Sequence, residues 1–89
     1  QTAFRETADA LAISQTIGDR ITALENLQED SEVTLKLSTE RFQVGVDDYL
    51  SVLDAQRATF NARQQLILAR LDQALNQVAL YRALGAAPL

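Results

Sequence analysis

Gln43-Val44-Gly45-Val46-Asp47-Asp48 decides the fold, because it stops one helix and starts another. Gly45 has no Cβ, so it can take the left-handed backbone conformation that ends a helix. Asp47 or Asp48 then offers a carboxylate to the open N–H groups of the next helical turn. On either side lies a long segment without breakers, from Thr2 to Val44 and from Asp48 to Leu84. The expected layout is a helix over 2–44, a tip turn over 44–47 and a helix over 48–84, with no separate domains. Gly85 should close the second helix, with Pro88 beyond it. Ala and Leu occur fourteen times each, against three Gly and one Pro, so composition also favours long helices.

Periodicity supports helices throughout. On the second segment Leu50, Leu53, Arg57, Phe60, Gln64, Ile67, Leu71, Ala74, Val78 and Tyr81 alternate three- and four-residue steps, as a coiled-coil seam does. On the first, Ile17, Ile21, Leu24, Gln28, Ser31, Leu35, Ser38 and Phe42 do the same with softer, more polar members. A second stripe on the later helix is small: Val52, Ala55, Thr59, Ala62, Leu66 and Ala69. Small residues admit a close neighbour, so this helix is expected to have neighbours on two sides. The fold class is all-α, a long antiparallel helical hairpin resembling a coiled coil. A lone hairpin buries one seam and encloses no core, so at this size it should oligomerise or belong to something larger.

Composition removes whole classes of function. The 89 residues contain no Cys and no His, which takes away the commonest metal ligands and the commonest general base. Serine–histidine and cysteine–histidine catalysis are excluded. Asp47 and Asp48 are adjacent, but neighbouring helical side chains diverge by about 100°, and no third ligand completes a metal site. No enzymatic activity, cofactor or metal is expected. The net charge is −4, with the acidic excess within the first 44 residues, and no basic stripe suits nucleic acid. No apolar run reaches the ~18–20 residues of a membrane span. The opening Gln1-Thr2-Ala3-Phe4 is unlike a signal peptide and suggests an internal or processed piece.

Arg41-Phe42-Gln43-Val44-Gly45-Val46-Asp47-Asp48-Tyr49-Leu50-Ser51-Val52-Leu53-Asp54-Ala55-Gln56-Arg57 is distinctive. It resembles the hallmark of TolC-like outer-membrane efflux proteins, in particular the lipoprotein branch that serves resistance-nodulation-division pumps. Ala3-Phe4-Arg5-Glu6-Thr7-Ala8-Asp9-Ala10 is similar to the family's entry into its penultimate long helix, and Asn76-Gln77-Val78-Ala79-Leu80-Tyr81-Arg82-Ala83-Leu84-Gly85 to its closing helix. The resemblance implies a trimer with a β-barrel in the outer membrane and an α-helical tunnel across the periplasm of a Gram-negative envelope. It implies docking of a periplasmic adaptor and an inner-membrane pump at the tunnel tip. The matched region is one hairpin of one protomer, so the expectation is a tunnel fragment that transports nothing alone. Contact with the membrane would come only through the missing barrel or lipid anchor.

The resemblance also implies roles for single residues. Leu50 and Asp54, one turn apart on one helix face, match positions that form the narrowest rings of the lumen. Three Asp54 carboxylates would repel one another and attract cations, while three Leu50 side chains would make an apolar constriction. From periodicity alone the same pair reads as seam packing and a solvated charge. Phe42, Gly45, Val46 and Asp47 fall at the turn where the adaptor docks. Phe42 reads equally as a seam aromatic at the hairpin end. The family's latch of a tyrosine and an arginine has no copy here, since Phe42 lacks the hydroxyl and Asp47 carries the opposite charge. Ser51 stands where a second lumen aspartate occurs. Arg41 and Gln43 are further exposed polar candidates, and Gly18 marks either a bend, a close helix approach or a tolerated glycine. The competing reading is an autonomous coiled-coil interaction module that pairs through the same seams.

Overall fold

A computed structural model describes residues 2–85, with side chains from Phe4 onward. The second helix is described to Gly85, its expected stop, and Pro88 lies outside the described residues. Two helices account for nearly all of it: α1, Thr2–Gln43, and α2, Tyr49–Gly85. The fold is an all-α helical hairpin, and no strand occurs among the described residues. The chain divides into two compact units, one of Gln1–Thr22 with Leu68–Leu89 and the other Ala23–Ile67.

The second unit contains the turn. Its α2 portion buries Val52, Ala55, Thr59, Ala62 and Leu66, and its α1 portion offers Leu24 with half-buried Gln28, Ser31, Leu35 and Ser38. Thr59 ties the two together, its hydroxyl lying 3.2 Å from the Ser31 carbonyl and 2.9 Å from the Ala55 carbonyl. One hydroxyl hydrogen serves both acceptors, which satisfies a polar group at a buried position. At the rim Arg63 Nη2 donates to Glu32 Oε1 at 3.1 Å. That bond, with a second from Gln28, holds the Glu32 carboxyl below its ordinary range.

The first unit repeats the pattern. Ile21 and Ala69 are buried, with half-buried Ala10, Ser14 and Ile17 on α1 and Gln73, Asn76, Leu80 and Ala83 on α2. Asn76 donates to the Ala10 carbonyl at 3.4 Å, and Arg20 pairs with Asp72 at 3.6 Å. The later α1 residue meets the earlier α2 residue, so the helices run antiparallel.

These contacts correct one expectation. Every member of the α2 stripe from Leu50 to Tyr81 that looked like the pairing seam is exposed. The buried stripe is the small one, Val52 to Ala69. Both stripes have the same period and differ only in phase, and period alone cannot say which phase meets a partner. The α1 seam supplies bulk through Ile21, Leu24 and Leu35, so alanines opposite let the backbones close. On α1 the seam runs as expected to Ser38, but Phe42 is exposed and belongs to the tip. Gly18 is half-buried, with nothing within 4 Å of where a Cβ would stand, so no close approach occurs there.

Candidate functional site

The tip is built by two interlocking caps. Gly45 has φ +79°, the left-handed conformation expected of it. Around it the Gly45 N–H donates to the Phe42 carbonyl at 3.0 Å and the Val46 N–H to the Arg41 carbonyl at 2.9 Å. This pair of backward bonds is the Schellman motif, which satisfies carbonyls left open at a helix end. The Asp47 N–H also reaches the Arg41 carbonyl, at 3.3 Å.

The start of α2 is capped in turn by Asp48, whose Oδ1 accepts the Ser51 N–H at 3.2 Å. This is the third helical amide, where an N-cap carboxylate is most useful. Asp47 Oδ1 accepts the Asp48 N–H at 2.9 Å and the Ser51 hydroxyl at 3.1 Å, and the same hydroxyl lies 3.3 Å from Asp48 Oδ1. Asp47 Oδ2 faces Arg41 Nε at 3.7 Å. Above the turn the rings of Phe42 and Tyr49 meet edge to face, centroids 5.1 Å apart and planes inclined by 61°. Tyr49 escaped the sequence reading. It stands in the hallmark stretch, but no role was read for it there.

Around this scaffold the apolar side chains of the turn are solvent-facing, with Val44 74% and Val46 65% exposed. Gln43 is exposed as well. Leu50 is 62% exposed, and Asp54 is exposed beside it, one turn along α2. Each lies two residues from buried Val52, about 160° around the helix at ~100° per residue. Both therefore face away from α1.

Beyond the tip, α2 carries exposed Leu53, Phe60, Ile67, Leu71 and Val78 along one stripe. A shallow groove in the first unit is lined by Glu6, Ala10, Ala79, Arg82 and Ala83, which stand in the two flanking stretches of the resemblance and include none of the residues given a role at the tip. Among the described residues no His, Cys, Asp and Glu group is placed to hold a metal ion, and no helix is long and apolar enough to cross a membrane.

The family model for outer membrane efflux proteins matches residues 1–86. The chain belongs to the outer membrane efflux protein family. Over 85 residues, 96% of the chain, it is 47% identical to the toluene efflux pump outer membrane protein TtgF of Pseudomonas putida. The same stretch is 47% identical to the probable efflux pump outer membrane protein SepC of that species. It is 40% identical to the cation efflux system protein CusC of Escherichia coli. These matches cover 18–19% of the relatives, so the chain spans about a fifth of the length of the outer membrane efflux proteins it resembles.

Proposed function

We infer that this hairpin is a periplasmic wall segment of a trimeric outer-membrane efflux duct, and that its tip both narrows the lumen and meets an adaptor protein and pump. One observation carries the reading. The large apolar side chains of α2 point away from its own partner helix, with Leu50 and Asp54 on that outward side at the tip. A helix that is apolar on several sides is made to be surrounded. In a tunnel wall the outward stripe packs on neighbouring helices along the shaft, and at the tip its first member Leu50, with Asp54 one turn on, lines the opening. Family membership supports the same assembly.

In this reading Leu50 forms the apolar ring and Asp54 the charged ring of the constriction. An apolar ring resists wetting, and an acidic ring favours cations over anions. Opening requires the tip helices of the three protomers to separate and widen both rings. Phe42, Gly45, Val46 and Asp47 build the docking turn, with Gly45 and Asp47 shaping it and Val44 and Val46 offering apolar contact to the adaptor. The cargo is a substrate of an efflux pump, proposed without a chemical class.

The test uses a full-length channel bearing this hairpin, reconstituted in planar bilayers. Leu50→Ala and Asp54→Ala should each raise single-channel conductance, and Asp54→Ala should also reduce cation preference. Unchanged conductance in both variants refutes the gate assignment.

A further inference from the structure

Asp47 stands apart from its neighbours at the tip. Among residues 40–50 it is the one that is not exposed, although it sits in a turn open to solvent on its outer side. Its side chain retains 33% of its accessibility, against 61% for Arg41 beside it. Both of its carboxylate oxygens are occupied. Oδ1 accepts the Asp48 amide and the Ser51 hydroxyl, and Oδ2 faces Arg41. These partners come from the end of α1, the turn itself and the first turn of α2. A docking residue keeps its polar atoms free for a partner, and Asp47 does not.

We propose that Asp47 is a positioning residue: its carboxylate clasps the tip and fixes the angle at which α2 leaves the turn, and with it the orientation of Leu50 and Asp54. This rests on the reading of Leu50 and Asp54 as a constriction. Ser51 follows Leu50 directly, so its two bonds to Asp47 and Asp48 set the local helix phase at the ring. The acceptor oxygen matters more than the charge. The hydrogen bonds to Oδ1 are 2.9 and 3.1 Å, whereas the ion pair is 3.7 Å and exposed, a geometry worth little in water. The tip is then a preassembled unit, and opening moves it without rebuilding the turn. Adaptor contact falls to Val44 and Val46.

The experiment compares Asp47→Ala, Asp47→Asn and Leu50→Ala in a full-length channel bearing this hairpin, with no adaptor present. A docking residue cannot affect conductance under that condition. The expectation is raised, more variable conductance for Asp47→Ala and unaltered conductance for Asp47→Asn, which keeps the acceptor. If Leu50→Ala raises conductance but Asp47→Ala does not, the clasp is wrong while the gate stands. If Asp47→Asn behaves like Asp47→Ala, charge and not acceptor geometry acts, and the proposal falls. Should Leu50→Ala itself change nothing, or Asp47→Ala fail to assemble, amide exchange of the 89-residue chain decides. There the Asp48 amide, whose acceptor is Asp47 Oδ1, should exchange about fivefold faster in Asp47→Ala and at the native rate in Asp47→Asn. Equal exchange in all three chains overturns the clasp.

Discussion

The same substitution at two glycines should move stability in opposite directions. Neither Gly18 nor Gly45 has any atom within 4 Å of where a Cβ would stand, so neither change creates a clash. The sign is therefore set by backbone conformation alone. Gly18 lies inside α1, where alanine is favoured over glycine by about 0.8–1.0 kcal/mol. Gly45 sits at φ +79°, where a Cβ costs roughly 1–2 kcal/mol. Part of that is offset by about 0.4–1 kcal/mol because alanine has a narrower unfolded ensemble. Gly45→Ala should thus destabilise by about 1 kcal/mol and Gly18→Ala stabilise by slightly less. The gap of about 2 kcal/mol is roughly thirtyfold in the folding equilibrium. Urea melts followed by circular dichroism at one fixed protein concentration would separate the midpoints by about 1–2 M. A lower midpoint for Gly18→Ala would mean that a neighbour touches α1 there. An unshifted midpoint for Gly45→Ala would mean that the left-handed turn is absent in solution.

Ala62→Leu inserts bulk at a position 1% exposed and should cost about 1–3 kcal/mol in the same melts. Phe60→Ala, two residues away and 60% exposed, should stay within ~0.5 kcal/mol at low concentration and weaken self-association in sedimentation. A large loss for Phe60→Ala would restore the outward stripe as the pairing seam. Asp48→Ala removes the α2 N-cap and should cost about 1 kcal/mol, with faster amide exchange at Ser51 as the local check. Glu32 gives the pH dependence. Its folded pKa is lowered by the hydrogen bond from Arg63, so its contribution is present above the ordinary value of 4.5 and is lost as pH falls through the lowered value. Acid titration of stability should be shallower in Glu32→Gln, and more so at low salt. Identical titrations would remove Glu32 from the account.

The turn was legible because its chemistry is local. Gly45 could be read as a left-handed stop and the aspartates as caps from residue type and order alone, and the backbone bonds follow that logic. The α1 seam was legible too, from Ile17 to Ser38. The phase of α2 was not. Leu, Phe and Ile attract attention as core residues, yet a seam is chosen by which surfaces fit. The stripe of α2 that is buried, Val52, Ala55, Thr59, Ala62, Leu66 and Ala69, is half alanine. Within the candidate site, the roles proposed for Leu50 and Asp54 rest on the family hallmark, since an exposed leucine beside an exposed aspartate has no local signature. The inward turn of the Asp47 carboxylate was hidden for a different reason. Whether an acid in a turn faces its own backbone or a partner depends on side-chain torsions that no spacing encodes.

The seam of alanines and one threonine has a consequence for how this chain tolerates change. In an ordinary globule, substitutions are absorbed at the surface and punished in the interior. Here the buried side of α2 is mostly small, Ala55, Thr59, Ala62 and Ala69 with Val52 and Leu66, and its exterior carries Leu53, Phe60 and Ile67. A polar replacement on that exterior leaves each helix able to form, yet in the proposed tunnel wall it alters which neighbours the hairpin can stand beside. Tolerance measured on the isolated chain and tolerance measured in the cell envelope should then diverge, with the most permissive positions in one becoming the most constrained in the other.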